Sequence, residues 1–299
     1  MFTIPDPLRV ADGTYLVRPL VERVATTDRR APSTTPSSTP SSTVAPGERQ
    51  ALHVNSMIIV GDEPVLVDTG AAALREQWIE QTFCLVDPDD VRWIFLSHAE
   101  ADHIGNLDVA LEMCPRATLV TSWIPDERND VGLDVPPERR RHLVHGEELR
   151  LPDRRLVAVR PPVFDLPSTL GLHDTSTGVY WSADAFGAAV PRVVDEIDDL
   201  PRATWLAAAD AYTAQLSPWT EIVDPVQFGR WIDEVVELAP TAIASAHGPV
   251  LVGASIDIAI EQLRHVPCRS HAGPLHDTRH DTRHDTRHDV GVSAGHPAG

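Results

Sequence analysis

Cysteine is scarce in this sequence of 299 residues, which has Cys84, Cys114 and Cys268 and no others. The number is odd, the spacing is wide and no Cys-x-x-Cys pair occurs, which argues against a disulfide framework. Reduced thiols, buried in the core of a cytoplasmic protein, are expected instead.

Long apolar runs are also missing. No run approaches the roughly 20 residues that a membrane-spanning helix needs. The first residues, Met1 to Pro7, lack the basic segment and the apolar segment of a signal peptide. The sequence therefore predicts neither membrane insertion nor secretion by a standard signal.

Positive charge is in short supply as well. The 25 Lys and Arg residues face 44 Asp and Glu residues, which gives a formal net charge of −19. A surface this acidic repels the phosphates of nucleic acids and of anionic lipids. A small molecule is therefore a better candidate partner than nucleic acid or a membrane.

The chain can bury a full-sized core, because 42% of its residues are hydrophobic over a length typical of one large domain. We predict a single domain over residues 1–265, with a Ser/Thr/Pro-rich insertion at 26–47 that forms a poorly ordered excursion between two neighbouring strands. Residues 266–299 are predicted to be a disordered low-complexity tail. Metal binding by the tail is the alternative, since its His-Asp-Thr-Arg repeat places a histidine at every fourth position: His276, His280, His284 and His288.

The most informative stretch runs from Val91 to Asn106. Its apolar, β-branched and aromatic first part, Val91 to Leu96, predicts a buried strand. Two histidines and two carboxylates follow: His98, Glu100, Asp102 and His103. Extended backbone would project alternate side chains to one side, with a helix beginning near His103. A solvated loop is the simpler alternative, but a bound cation would let neighbouring carboxylates stay ionised together.

Three further polar residues follow predicted strands. A hairpin is predicted from strands at 53–60 and 65–68, and Asp68 ends its second strand. Asp184 follows a β-rich run at 178–182, and His247 follows a run of small residues at 241–246. A capping role for each aspartate and a structural role for the histidine are the alternatives. Helices are predicted at 71–84, 193–200, 203–216, 225–238 and 256–265.

The segment Ser-His-Ala-Glu-Ala-Asp-His, at 97–103, resembles the metal-binding loop of the metallo-β-lactamase superfamily in its His-x-Glu-x-Asp-His form. Asp-Thr-Gly at 68–70, Ser-Ala-Asp-Ala-Phe-Gly at 182–187 and His-Gly-Pro at 247–249 are similar to later motifs of that superfamily, in the same order. The form with Glu100 resembles the flavodiiron proteins, whereas hydrolases of the superfamily usually have histidine there. The resemblance covers residues 10–265 and implies an α/β fold, a four-layer αββα sandwich with a metal site at one edge of two packed sheets.

The resemblance also implies a ligand set for two metal ions, bridged by Asp184. The family has a further ligand histidine where Phe164 stands in this sequence, so we expect Asp165 to be a substitute ligand and His173 a more distant one. Asp68 is expected behind the metals, accepting a hydrogen bond from a ligand histidine. The first metal would bind His98, Glu100, Asp165 and Asp184, and the second Asp102, His103, Asp184 and His247.

Two functions from different classes follow. In the first, two divalent metal ions, with iron favoured and zinc or manganese open, bind or reduce dioxygen or nitric oxide, with Asp102 and Asp184 as the catalytic carboxylates. Flavodiiron proteins have a flavodoxin domain after this one, so here the electron donor is expected to be a separate protein. In the second, a bridging hydroxide hydrolyses an ester, thioester or phosphoester. A metal-poor descendant and a homodimer both remain open.

Overall fold

The structure is a computed structural model that describes residues 4–24, 48–122 and 135–268. The predicted insertion at 26–47 and the repeat part of the predicted tail lie outside the described residues. In the described ranges, no helix is both long and apolar enough to cross a membrane.

The first half of the chain builds a seven-stranded sheet. Its strands, together with a separate two-stranded pair, are β1 Leu8–Ala11, β2 Thr14–Val17, β3 Leu20–Val24, β4 Arg49–His53, β5 Ser56–Ile59, β6 Val65–Val67, β7 Trp93–Phe95, β8 Thr118–Ser122 and β9 Arg140–Leu143. The spatial order is β1-β2-β5-β6-β7-β8-β9, and β6, β7, β8 and β9 run parallel to one another. Strands β3 and β4 pair antiparallel, so the chain that connects them, which includes the residues of the predicted insertion, joins two neighbouring strands.

The second half builds a six-stranded sheet. Its strands follow in sequence order: β10 Glu148–Arg150, β11 Arg155–Val159, β12 Gly171–Asp174, β13 Val179–Trp181, β14 Ala242–Ala244 and β15 Leu251–Val252. Only the β13–β14 pair is parallel. The helices of the described ranges are α1 Arg75–Phe83, α2 Ala101–Ile104, α3 Leu107–Met113, α4 Arg202–Leu216, α5 Pro225–Glu237 and α6 Ala254–Arg264, with 3₁₀ turns at Ala72–Leu74, Pro137–Arg139, Ile197–Asp199, Pro218–Ile222 and Val266–Cys268.

Strand alternation sorts the apolar side chains into four layers. On β7, Phe95 faces the core between the two sheets, while Ile94 faces the core under α1 and α3. On β13, Trp181 joins the core between the sheets, while Tyr180 packs under the helices of the second half. The order is therefore helix, sheet, sheet, helix, and the predicted four-layer αββα sandwich is confirmed.

Three local predictions were wrong. Residues 193–200 form only the 3₁₀ turn Ile197–Asp199, because Val250 exchanges backbone hydrogen bonds with Asp195 and Ile197 and holds this segment extended. The predicted strand from His53 to Val60 is broken between β4 and β5, where the Asn55 amide instead binds the Ala246 carbonyl at 2.8 Å. Cys114 is buried as expected, but Cys84 is exposed.

Candidate metal centre

The ends of two parallel strand pairs bring the polar residues together. Trp181 of β13 is in register with Ala244 of β14, and Asp184 and His247 each lie three residues beyond those partners, so they emerge side by side. In the other sheet, the Asp68 amide after β6 donates to the Phe95 carbonyl of β7 at 2.8 Å. Parallel strands that end at one edge of each sheet thus place both groups at a common edge.

Asp184 occupies the middle of the cluster. Its Oδ1 lies 3.0 Å from His103 Nε2 and 3.3 Å from His247 Nε2. Its Oδ2 lies 3.5 Å from His98 Nε2. One carboxylate therefore faces three imidazoles on both of its oxygens, which is the position that a bridging ligand requires.

The turn that presents Asp184 is tight. Ala183 and Phe186 both have left-handed backbone, with φ of 52° and 63°. The Gly187 amide donates to the Asp184 carbonyl at 3.2 Å, and a Cβ at Gly187 would lie only 2.6 Å from the Tyr212 ring. Glycine at position 187 is therefore required by the close approach of Tyr212 on helix α4.

On one side of Asp184 lies a group that we name the second site. Asp102 Oδ2 is 3.3 Å from His247 Nε2, and Asp102 Oδ1 is 3.9 Å from His103 Nε2. Helix α2 begins at Ala101, so the extended backbone stops at Glu100 and Asp102 is presented from the first turn of a helix. The second site consists of Asp102, His103, His247 and the shared Asp184.

On the other side lies the first site. Ligand atoms of His98, Glu100 and Asp165 all lie within 4.8 Å of one another. Asp165 Oδ1 is 3.9 Å from His98 Nε2 and also accepts a hydrogen bond from the Leu166 amide at 2.6 Å. His173, which is buried on β12, belongs to no such group among the described residues.

Hydrogen bonds on the far side of the rings fix the directions of the imidazoles. His103 Nδ1 lies 2.9 Å from Asp68 Oδ2, and Asp68 also accepts from the Ser97 amide and hydroxyl, both at 2.7 Å. His247 Nδ1 donates to the His53 carbonyl at 2.9 Å. Because each Nδ1 is engaged behind the site, each Nε2 faces the cluster, and Asp68 lies where the resemblance places it.

Burial and mutual interactions shift the pKa values of the charged groups in the cluster. Burial and a hydrogen bond with Asp165 raise the pKa of Glu100 to about 7. Burial would raise the pKa of Asp102, but the hydrogen bond with His247 and the positive charges of His103 and His247 together outweigh it and lower that pKa to about 2. Burial would likewise lower the pKa of His247, but the hydrogen bond with Asp102 and the close negative charge of Asp184 raise it to about 9. Protons on imidazoles thus supply the positive charge that the carboxylates need.

The same cluster leaves buried polar atoms without partners. His98 Nε2, His103 Nε2 and Asp184 Oδ1 are buried and make no well-directed hydrogen bond within the described part of the chain. Buried polar atoms rarely stay unpaired, and three that converge are explained most simply by a cation between them. The donor set, imidazole nitrogens and carboxylate oxygens, suits iron, manganese or zinc.

Sequence reasoning missed two neighbours of the cluster. The Tyr212 ring packs against His247 with a centroid distance of 5.7 Å, and Asn55 holds the His247 loop by donating to the carbonyls of Ser245 and Gly248 at 2.7 and 2.9 Å. Tyr212 is one residue of an ordinary helical pattern, and no local signal points it toward the site. Asn55 is a polar residue that interrupts an apolar run, and this interruption could have indicated its role from the sequence.

The fold and this cluster define a metallo-β-lactamase-type protein with a carboxylate-rich centre. The family described as ODP family beta lactamase matches residues 52–248, more than half of the chain, so the chain belongs to that family.

Comparison with individual proteins agrees with this family. The nitric oxide reductase of Moorella thermoacetica is 23% identical over 197 residues, covering 65% of this chain and 48% of that protein. Among solved structures, rubredoxin oxygen:oxidoreductase from Desulfovibrio gigas superposes with a TM-score of 0.68 at 20% identity, covering 87% of this chain and 61% of the other. The chemotaxis sensor ODP, solved as a peroxy diiron species, superposes with a TM-score of 0.58 at 18% identity, covering 72% of this chain and 89% of the other.

The chain spans between about a quarter and about half of the length of the curated relatives it matches. The structural likenesses, all at low identity, show the fold.

Proposed function

We propose that this protein holds two metal ions, preferably iron, and that it binds or reduces dioxygen or nitric oxide at them. The first metal would bind His98, Glu100, Asp165 and Asp184. The second would bind Asp102, His103, Asp184 and His247. Zinc or manganese is the alternative metal.

A single observation carries the proposal. Both oxygens of Asp184 face imidazole nitrogens, at 3.0 and 3.3 Å on one side and 3.5 Å on the other. A carboxylate in this position can bind one cation with each oxygen. The family, together with a nitric oxide reductase and an oxygen:oxidoreductase among the similar proteins, supports redox chemistry over hydrolysis.

Bound iron would supply electrons to the gas and a positive charge to any anion formed from it. The protein residues would keep the centre in place and limit its access to water. Asp68 and the His53 carbonyl hold His103 and His247 in orientation, and Tyr212 packs over the outer face of His247. Asp102 and Asp184 would be the carboxylates in contact with the reacting atoms.

Reduction needs an electron donor, and we place it on a separate protein. The likeness to the ODP sensor supports gas binding at such a centre, with electrons for any reduction delivered by that donor. We propose a cytoplasmic location for this protein, in line with its few cysteines.

The test is anaerobic iron loading of the full-length chain, without a histidine tag and with the four repeat histidines His276, His280, His284 and His288 replaced by glutamine. We expect two irons per chain and an optical change on adding dioxygen or nitric oxide. Continued consumption of gas with an added reductant would mean reduction, and a single stoichiometric response would mean binding alone. Zinc-only content with esterase turnover would contradict the proposal.

A further inference from the structure

The two halves of the centre offer different atoms to a cation. The second site has two imidazoles, His103 and His247, with the carboxylates of Asp102 and Asp184. The first site has one imidazole, His98, with the carboxylates of Glu100, Asp165 and Asp184. Replacing one nitrogen by an oxygen changes which cation is preferred, since imidazole suits iron and zinc while carboxylate suits manganese.

We propose that the first site selects the harder cation, so that a chain offered manganese together with iron or zinc takes manganese in the first site and iron or zinc in the second. This inference depends on the ligand sets given under Proposed function. It adds that the two sites are unequal and that Asp165 is the cause.

The contacts of Phe164 explain why a carboxylate oxygen of Asp165 lies beside His98 in the first site. The Phe164 ring packs against Trp219 with a centroid distance of 5.0 Å, and the Arg160 guanidinium lies 5.5 Å from its centre. The Phe164 carbonyl accepts hydrogen bonds from Ser217 Oγ at 2.9 Å and from Trp219 Nε1 at 2.8 Å. These contacts engage both the ring and the backbone of Phe164, and the next residue, Asp165, faces His98.

The charges of the two sites support the same preference. The first site has two carboxylates of its own, Glu100 and Asp165, whereas the second has one, Asp102; Asp184 is shared. The first site therefore has one more negatively charged ligand than the second and one imidazole fewer. Such a site stabilises a hard cation, and also its trivalent state, relative to its neighbour.

The test uses the full-length chain with the four repeat histidines replaced by glutamine. Metal-free protein receives one equivalent of Zn²⁺ and then Mn²⁺, and bound manganese is counted by its electron paramagnetic resonance signal. Anomalous diffraction at the manganese and zinc edges locates each ion. We expect one Mn²⁺ per chain beside His98, Glu100 and Asp165, with zinc beside His103 and His247.

Asp165→His is the decisive variant, because it restores a second imidazole to the first site. It should weaken Mn²⁺ binding relative to Zn²⁺ by roughly tenfold or more, and zinc should then fill both sites. Asp257→His, on the exposed side of α6, is the matched control that adds an imidazole elsewhere, and it should leave the ratio unchanged. Manganese and zinc mixed equally over both sites, or an unchanged ratio in Asp165→His, would overturn the inference.

These results separate the inference from the proposed function. Two irons that respond to gas, together with manganese and zinc mixed equally over both sites, would refute the inference alone. Selective binding of Mn²⁺ to the first site and Zn²⁺ to the second, in a protein whose iron form shows no response to dioxygen or nitric oxide, would refute the proposed function alone. A chain that binds no metal at either site would refute both.

Discussion

His103 Nδ1 lies 2.9 Å from Asp68 Oδ2, and Asp68 is a buried residue with left-handed backbone at φ 58°. A non-glycine residue in this conformation is uncommon and costs about 1 kcal/mol or more. The strain is offset by three hydrogen bonds, from His103 and from the Ser97 amide and hydroxyl. Asp68 therefore fixes the direction of the imidazole that faces Asp184.

Asp68→Asn tests this role. Asparagine also tolerates left-handed backbone, so the turn should persist while one acceptor and the negative charge are lost. We expect metal affinity at the second site to fall on the order of 10–100-fold, with a smaller loss at the first. Anaerobic titration against a chromophoric chelator measures both. Asp62→Asn, at an exposed turn, is the control, and equal affinities in the two variants would refute the role.

Asp184→Ala should release both metals, because Asp184 is the carboxylate that both sites share. Asp102→Asn should weaken only the second site, since Asp102 approaches His247 and His103 but is absent from the His98 group. Metal content per chain after desalting measures the difference. Full metal content in Asp184→Ala would rule out a bridging role.

Sequence patterns located much of this site because its residues follow strands. His98, Asp184 and His247 each come just after a short apolar strand, and the parallel β13–β14 register then makes two of them neighbours. Their assignment as metal ligands stays a prediction, although the structure brings them together. The fold could be predicted because the motifs occur along the whole chain in the same order as in the family that they resemble.

Other features depend on distant contacts that local patterns do not contain. The segment 193–200 has helical spacing, but backbone pairing with Val250 decides its conformation. Tyr212 reaches His247 only because α4 packs against the Gly187 turn. Strand β3, which was not predicted, is stabilised by pairing with β4 across the insertion.

Stability of the metal-free protein should depend on His53. This residue is fully buried, and neither ring nitrogen has a hydrogen-bond partner in the described part of the chain. Burial, and then the positive charge of Arg18, lowers its pKa from 6.5 to about 4. Between these values the unfolded chain binds a proton that the folded protein excludes, so the free energy of unfolding should fall as the pH drops from 6.5 to 4.

The contribution of His53 is roughly 3 kcal/mol, at about 1.4 kcal/mol per pKa unit. Urea unfolding at a series of pH values measures it. In His53→Leu the backbone carbonyl that holds His247 remains. The fall in the free energy of unfolding between pH 6.5 and 4 should be smaller in this variant by that amount. Parallel pH profiles for the two proteins would show that His53 does not titrate as described.

Gly187 and Gly229 should respond to alanine in opposite directions. A Cβ at Gly187 would lie 2.6 Å from the Tyr212 ring, whereas a Cβ at Gly229 would lie 3.7 Å from Arg264 Nη1, an ordinary contact. Gly187→Ala should therefore destabilise by about 1–3 kcal/mol through overpacking. Gly229→Ala, inside α5, should stabilise by about 0.5–1 kcal/mol. Chemical denaturation of the metal-free variants measures both, and stabilisation by Gly187→Ala would mean that the turn is looser than the structure indicates.

The most direct measurement is anomalous diffraction at the iron edge from crystals of the anaerobically loaded protein. The account predicts two peaks, one on each side of the Asp184 carboxylate, the first beside His98 and the second between His103 and His247. A single peak, or two peaks of which neither contacts Asp184, would contradict it.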